Sequence, residues 1–441
     1  MINPRLLRLA LFQFGMGFSV VVFSGTLNRV LIKEEGIPAA VVGWLLSLSV
    51  FVAPARALFG FRSDRERKTF GYRRLPYFWI GMMMIFAGLS AGPFSLLVLS
   101  RSFDLRVDLP FSVALGICTF IFLLYALGSH VAQTAYLALV TDLTPQRERT
   151  RAVAFLWTAL ILGQITSSFV ISYWLSDYTP MKLVQVMQTS SIVFLACAIA
   201  AIWKQDQMVN VTETEGEDDF THRVWSIVKT PRIRLFFLTV FLGTIGLTEQ
   251  DVLMEPYAGQ VLGMTVGETS RITGFWGIGM LVAMLIAARV VPRLSSPLPV
   301  AMVSCTLGLC AMVVVIGVSV VQSVPMLLGG VMLVGLSNGL FLISTLSLVV
   351  SMADIKTAGL FVGMWGLCQT TGTGLSNIVG GAVRDAFTTP SNPVAGYVAA
   401  YTGEMLLLCV AFVLLLSIPR GSFATSRGQS AFAGLTDLPG A

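Results

Sequence analysis

Residues Gly60 to Arg74 read GFRSDRERKTFGYRR. Arg62, Arg65, Arg67, Lys68, Arg73 and Arg74 crowd this short segment, and long apolar runs flank it at 38–60 and 75–99. A basic loop between two apolar runs is the pattern of a loop retained on the cytoplasmic side of a membrane, because Lys and Arg resist translocation. Outward from it, apolar runs and short polar breaks alternate along the whole chain. Helices are expected over 9–32, 38–60, 75–99, 110–140, 152–175, 182–203, 233–256, 268–291, 299–320, 325–351, 358–383 and 397–418. A spanning helix needs about 20 apolar residues, so twelve of them fit the length. Pro38, Pro76, Pro110, Pro299 and Pro325 fall at expected helix starts, where the missing N–H has no partner to lose.

Composition agrees with a bilayer as solvent. Of 441 residues, 55% are hydrophobic and 12% are charged, and the mean hydropathy is +0.80. A soluble fold could not hide so much apolar surface, and a disordered chain requires the opposite balance. The net charge of +6 therefore concerns topology rather than nucleic acid. With the N-terminus inside, the cytoplasmic segments take 21 of the 29 Lys and Arg, and the opposite face takes Arg29, Lys33, Arg101, Arg106, Lys182, Arg271 and Arg384. This bias predicts both termini on the cytoplasmic side. Arg5 and Arg8 precede the first run, which is too long for a signal-peptide core and is read as an uncleaved helix. The six cysteines lie in apolar runs without a CxxC pair, the pattern of small buried hydrophobes. The sequence holds no Walker loop, metal-ligand spacing or nucleophile–base constellation, so neither an enzyme nor a metal or nucleotide site is expected.

The longest polar interruption, 204–232, divides the chain. The expected organisation is a six-helix half over 1–203, a cytoplasmic linker over 204–232, a second six-helix half over 233–418 and a cytoplasmic tail over 419–441. The halves echo each other. ALVTDLTPQRERTRAVAFLWTALILGQITSS, containing Asp142 and Gln164, is matched in layout by SLVVSMADIKTAGLFVGMWGLCQTTGT, containing Asp354 and Gln369. A parallel repeat of two six-helix halves predicts such an echo. Gly335 with Gly339, and Gly359 with Gly363, have the spacing that lets helices approach closely. Gln164, Gln369, Asn338, Asn377 and Glu404 are polar residues at bilayer depth.

In the opening loop, Gly60, Asp64, Arg65, Arg67 and Lys68 resemble the cytoplasmic signature of the major facilitator superfamily, without the glycine that usually precedes the basic pair. The resemblance implies an all-α, twelve-helix bundle of two pseudo-symmetric halves around a central cavity. A narrower resemblance rests on GTLNRVLI (Gly25–Ile32), APARALFGFRSD (Ala53–Asp64), GYRRLPYFWIG (Gly71–Gly81) and EQDVLMEPYAGQVLGM (Glu249–Met264). These stretches are similar to the PucC family. That similarity implies a bacterial inner-membrane factor, in the cytoplasmic or intracytoplasmic membrane, which assembles light-harvesting antenna complexes. Bacteriochlorophyll is the implied cargo. Antenna polypeptides, pigment-synthesis enzymes and membrane lipids are the implied partners, and nucleic acid is not among them.

Candidate site residues follow. Arg29 lies ~30 Å up the first helix, and Asp251 and Glu255 lie ~27 and ~33 Å up the seventh, so with Glu249 they belong near the periplasmic end. Charges at such positions are paired, face a cavity or are solvated at the interface. Pairing of Arg29 with Asp251 or Glu255 would close that end, and Pro256 and Gly259 are expected to break the helix just beyond. His130 is the one histidine inside an apolar run. It is either a candidate bacteriochlorophyll ligand, with Gly128 and Ser129 making room, or a hydrogen-bonded packing residue. Two other functions fit the same sequence: a proton-coupled secondary transporter of a small solute, with Glu249, Asp251, Glu255 and Glu404 as proton carriers, and a pigment-free assembly scaffold.

Overall fold

A computed structural model of the chain describes residues 4–65, 75–99, 110–144, 149–203, 231–248, 250–294, 296–352, 358–389 and 391–418. Twelve helices run through these segments. In the first half they are α1 (Pro4–Glu34), α2 (Ala39–Arg65), α3 (Leu75–Leu99), α4 (Phe111–Leu143), α5 (Arg149–Trp174) and α6 (Pro180–Ile202). In the second half α7 comprises Pro231–Thr248 and Gln250–Val261, followed by α8 (Val266–Val290), α9 (Leu298–Val321), α10 (Val324–Met352), α11 (Ala358–Phe387) and α12 (Val394–Leu416). Among the described residues, ten helices are long and apolar enough to cross a bilayer, as a multi-pass membrane protein requires. Apolar side chains cover the outside as well as the core: Phe120, Ile192 and Val320 are exposed, which suits lipid.

The packing divides as the repeat predicts. In the first half α1 packs on α5 and α6, α4 on α2 and α3, and α3 on α6. In the second, α10 packs on α8 and α9, while α7 packs on α11 and α12. The long contacts between halves are α2 with α11 and α5 with α8. Close approach uses glycine where expected on α10. A Cβ at Gly335 would stand 2.1 Å from the Trp276 carbonyl oxygen, and one at Gly339 would stand 2.5 Å from Ala283 Cβ. The second pair behaves differently: nothing lies within 4 Å of a Cβ at Gly363, so that position needs no glycine for packing, and the side-chain position of Gly359 lies outside the described residues. The proposed linker, apart from its last residues, and the tail from 419 onward also lie outside them.

Candidate functional site

The first helix is not α-helical throughout. Val21–Thr26 and Val30–Glu34 are π-helical turns, with only Leu27–Arg29 between them. A π turn is strained and recurs at functional positions. Here it changes which residues share a face. In an α-helix a residue meets the one four ahead, whereas a π turn brings the residue five ahead into reach. Arg29 accordingly donates from Nη1 to Glu34 Oε1 at 2.9 Å. Its Nη2 donates to the Met264 carbonyl at 3.1 Å, across to the second half. The side chain is completely buried, although Glu34 is one-third exposed.

Helix α7 supplies the opposing surface. Pro256 does not break it: the helix runs on to Val261. A proline at 256 removes the N–H that would bond the carbonyl of Val252, four residues back. Asn28 of α1 fills that gap, donating from Nδ2 to Val252 O at 2.7 Å. The broken helical bond is thus replaced by one between the halves, the kind of compensation that lets proline persist inside a membrane helix. The true end comes at Gly263 (φ 67°), as α1 ends at Gly36 (φ 66°). Only a residue without Cβ enters that conformation freely. Asn28 and Glu255 each stand eight residues before these glycines, so these two buried polar residues occupy equivalent places in the repeat.

Arg29 and Glu255 are both seated on glycine. A Cβ at Gly259 of α7 would lie 2.6 Å from Arg29 Nε and Nη2, and a Cβ at Gly25 of α1 would lie 2.6 Å from Glu255 Oε1. Each charged group therefore lies flat on the backbone of the other helix, one turn apart. Glu255 is 5% exposed and accepts from Thr273 Oγ1 of α8 at 3.0 Å. Among the described residues the ion pair of Arg29 is with Glu34, on its own helix, and not with Glu255. The expected partners were Asp251 or Glu255; α1 and α7 do meet here, and Glu34, five residues along a π turn, is the partner among the described residues. Glu249 lies outside the described residues, as does the side chain of Asp251. Tyr178, in the loop after α5, lies near this cluster. Burial, together with the charges of Glu35 and Glu34, pushes its phenol up to about 12, so it stays neutral.

Sequence reasoning missed further polar contacts between the halves. Asp385 at the end of α11 accepts from the Ala40 N–H at 2.8 Å, which satisfies an orphan donor at the start of α2 from the opposite half. Arg384 is held by Asp385 at 2.7 Å, by Gln260 at 2.9 Å and over the ring of Tyr397 at 5.1 Å. Ser47 Oγ donates to Gly374 O at 2.8 Å. On the other seam Arg271 Nε donates to Ser172 Oγ at 2.7 Å, and Ser168 Oγ donates to the Ser270 carbonyl. All these contacts fall in the same half of the bundle's length, where α1 and α7 finish. An adjacent Arg-Asp pair at a helix end was the available signal for Arg384 and Asp385. Their partners are remote in sequence and gave none.

Toward the opposite end, the seam between halves is lined by apolar side chains. Trp157 of α5 faces Met280 and Met284 of α8, Leu342 and Leu346 of α10 and Trp365 of α11 around one pocket. The Trp365 indole N–H is spent on Thr345 Oγ1 at 3.1 Å. His130 lies elsewhere, between α4 and α2. Its Nε2 donates to the Ser49 carbonyl at 2.8 Å, so ligation of a metal by Nε2 would require breaking that bond. Gln369 accepts from Thr244 at 2.8 Å, and Asn377 and Glu404 are buried. Gly60, Asp64 and Arg65 belong to the last turns of α2, with their side chains outside the described residues, and Arg67 and Lys68 lie outside them altogether.

Comparison with known proteins bears on both fold and family. The solved structure of a mutant of the nucleoside transporter NupG superposes with a TM-score of 0.71 at 14% identity, covering 94% of this chain and 100% of that one. An inward-facing, occupied bacterial homologue of the lysosomal transporter Spinster gives 0.67 at 15% identity, covering 97% and 100%. These likenesses establish the twelve-helix major facilitator bundle. Among curated sequences, Protein PucC of Rhodobacter capsulatus is 35% identical over 94% of this chain and 92% of its own length. An uncharacterised protein of the puhA-bchM intergenic region of the same organism is 34% identical over 99% and 94%. A more distant relative, also from Rhodobacter capsulatus, is named the bacteriochlorophyll synthase 44.5 kDa chain, at 25% identity over 94% and 95%. The PUCC protein family profile matches residues 26–423, and the chain belongs to that family.

Proposed function

We propose that this protein is a non-enzymatic membrane factor for light-harvesting antenna assembly, which binds bacteriochlorophyll and delivers it to antenna polypeptides. The observation that carries this reading is family membership along nearly the whole chain, combined with a seam pocket whose lining residues carry no charge. A pocket walled by two tryptophans, two methionines and leucines favours an apolar cargo over a polar solute. In this reading the Arg29, Glu255 and Asp385 contacts keep one end of the cavity shut, Glu249 and Asp251 are further gate candidates by their place in the sequence, and cargo enters from the other end or sideways from the bilayer. His130 is a candidate magnesium ligand only after release from Ser49. The basic loop from Gly60, with Asp64, Arg65, Arg67 and Lys68, anchors the cytoplasmic face, and the protein works in the bacterial inner membrane with both termini inside. The name of the synthase-chain relative concerns that protein. It gives this chain a pigment context without giving it a catalytic centre.

A second reading, a proton-coupled transporter, is favoured by Glu255, a carboxyl buried at the contact of α1, α7 and α8. Deleting the coding sequence in its pigmented host separates the two. The assembly reading expects loss of antenna absorption bands with pigment synthesis maintained, and restoration by the intact gene. Unchanged antenna bands, together with solute-dependent proton uptake by vesicles containing the purified protein, would overturn it.

A further inference from the structure

We infer that the outer face of the bundle, between α1 and α6, carries a binding site for one anionic phospholipid, independent of the cargo pathway. The site is a shallow groove of about 420 Å³ lined by Arg8, Ala196, Ile199, Ala200 and Trp203. Its shape follows from the sequence. At Gly15 the two helices touch, since a Cβ there would lie 3.0 Å from Cys197 Cβ. Beside that contact the outward face of α6 carries Ala196 and Ala200, and these small, exposed side chains line the groove with Ile199. The walls are hydrocarbon and suit an acyl chain.

The mouth is different. Arg8 is exposed, and among the described residues no acidic side chain lines the groove with it. Trp203 closes α6 and is 59% exposed. An arginine and a tryptophan at one helix-end level mark the headgroup depth of a bilayer, the end that the charge bias assigns to the cytoplasm. A cation at that depth above an acyl-width groove complements a phosphodiester joined to a hydrocarbon chain. A free phosphate would leave the apolar wall bare, and a neutral hydrocarbon would leave Arg8 unmatched.

Native mass spectrometry of the full-length protein, released from vesicles of equal phosphatidylglycerol and phosphatidylcholine, tests the inference. The wild type should retain one phosphatidylglycerol in preference to phosphatidylcholine. Arg8→Gln should reduce that preference about fivefold, the factor equivalent to ~1 kcal/mol for one basic group at an anionic surface. Ala196→Phe, which fills the groove from an exposed position, should remove the bound lipid of both kinds while Arg8 remains. Equal retention of the two lipids by the wild type, or unchanged retention in Ala196→Phe, would overturn the inference. So would capture of a polypeptide rather than lipid by a photocrosslinker placed at Ala200.

Discussion

Asn28 shows how one side chain can carry a function that no neighbour in sequence announces. Its amide serves the carbonyl that Pro256 strands on the opposite helix. Replacement by leucine leaves Val252 O buried and unserved, which costs about 1–3 kcal/mol. Asn28→Leu should therefore lower the melting temperature in detergent, and the Asn28→Leu/Pro256→Ala double variant should recover most of the loss because alanine restores the helical donor. If the double variant melts no higher than the single, the compensation does not operate. Glycines give a paired prediction. Gly259→Ala forces a methyl into the Arg29 guanidinium and should destabilise, whereas Gly363→Ala meets open space and should be neutral or stabilising by helix propensity. Thermal unfolding of the two variants decides, and equal effects would contradict the seating of Arg29 on Gly259. At this scale the sequence was partly legible. Arg29 and Glu255 stand out as charges in apolar runs, and helical rise alone put them at one level. Their partners were not legible, because the choice of Glu34 depends on a π turn and Met264 offers a backbone atom.

Helix α1 ends in two π turns, and α2 and α11 meet through Asp385 at the N-terminus of α2. These features join elements rather than residues, and they concentrate at one end of the bundle. Asp385→Ala removes the acceptor for the Ala40 N–H and releases Arg384. The predicted outcome is faster maleimide labelling of a cysteine placed at Ser47, which is buried at the α2–α11 seam. Unchanged labelling would mean that Asp385 does not hold the halves together. Helix number and most starts were readable, since proline and polar breaks punctuate apolar runs. The persistence of α7 through Pro256 was not, because a proline inside a helix survives only when another element satisfies the freed carbonyl, and that element lies more than two hundred residues away.

The molecule as a whole combines a transporter-like bundle with polar contacts between the halves at one end and an apolar seam toward the other. The repeat was visible in the sequence as an echo around Asp142 and Asp354, and it reappears as matching helix ends at Gly36 and Gly263. The seam pocket was not visible, because Trp157, Met280 and Trp365 belong to helices that are apolar on several faces and no period marks the side facing the partner half. The claim that this bundle binds bacteriochlorophyll is tested most directly by an absorption spectrum of the protein purified in mild detergent from its pigmented host. A stoichiometric near-infrared bacteriochlorophyll band, removed by solvent extraction and weakened in Trp157→Ala, is the predicted result. A colourless protein would contradict pigment binding, and the antenna polypeptides that did or did not accompany it would then divide the scaffold from the small-solute transporter.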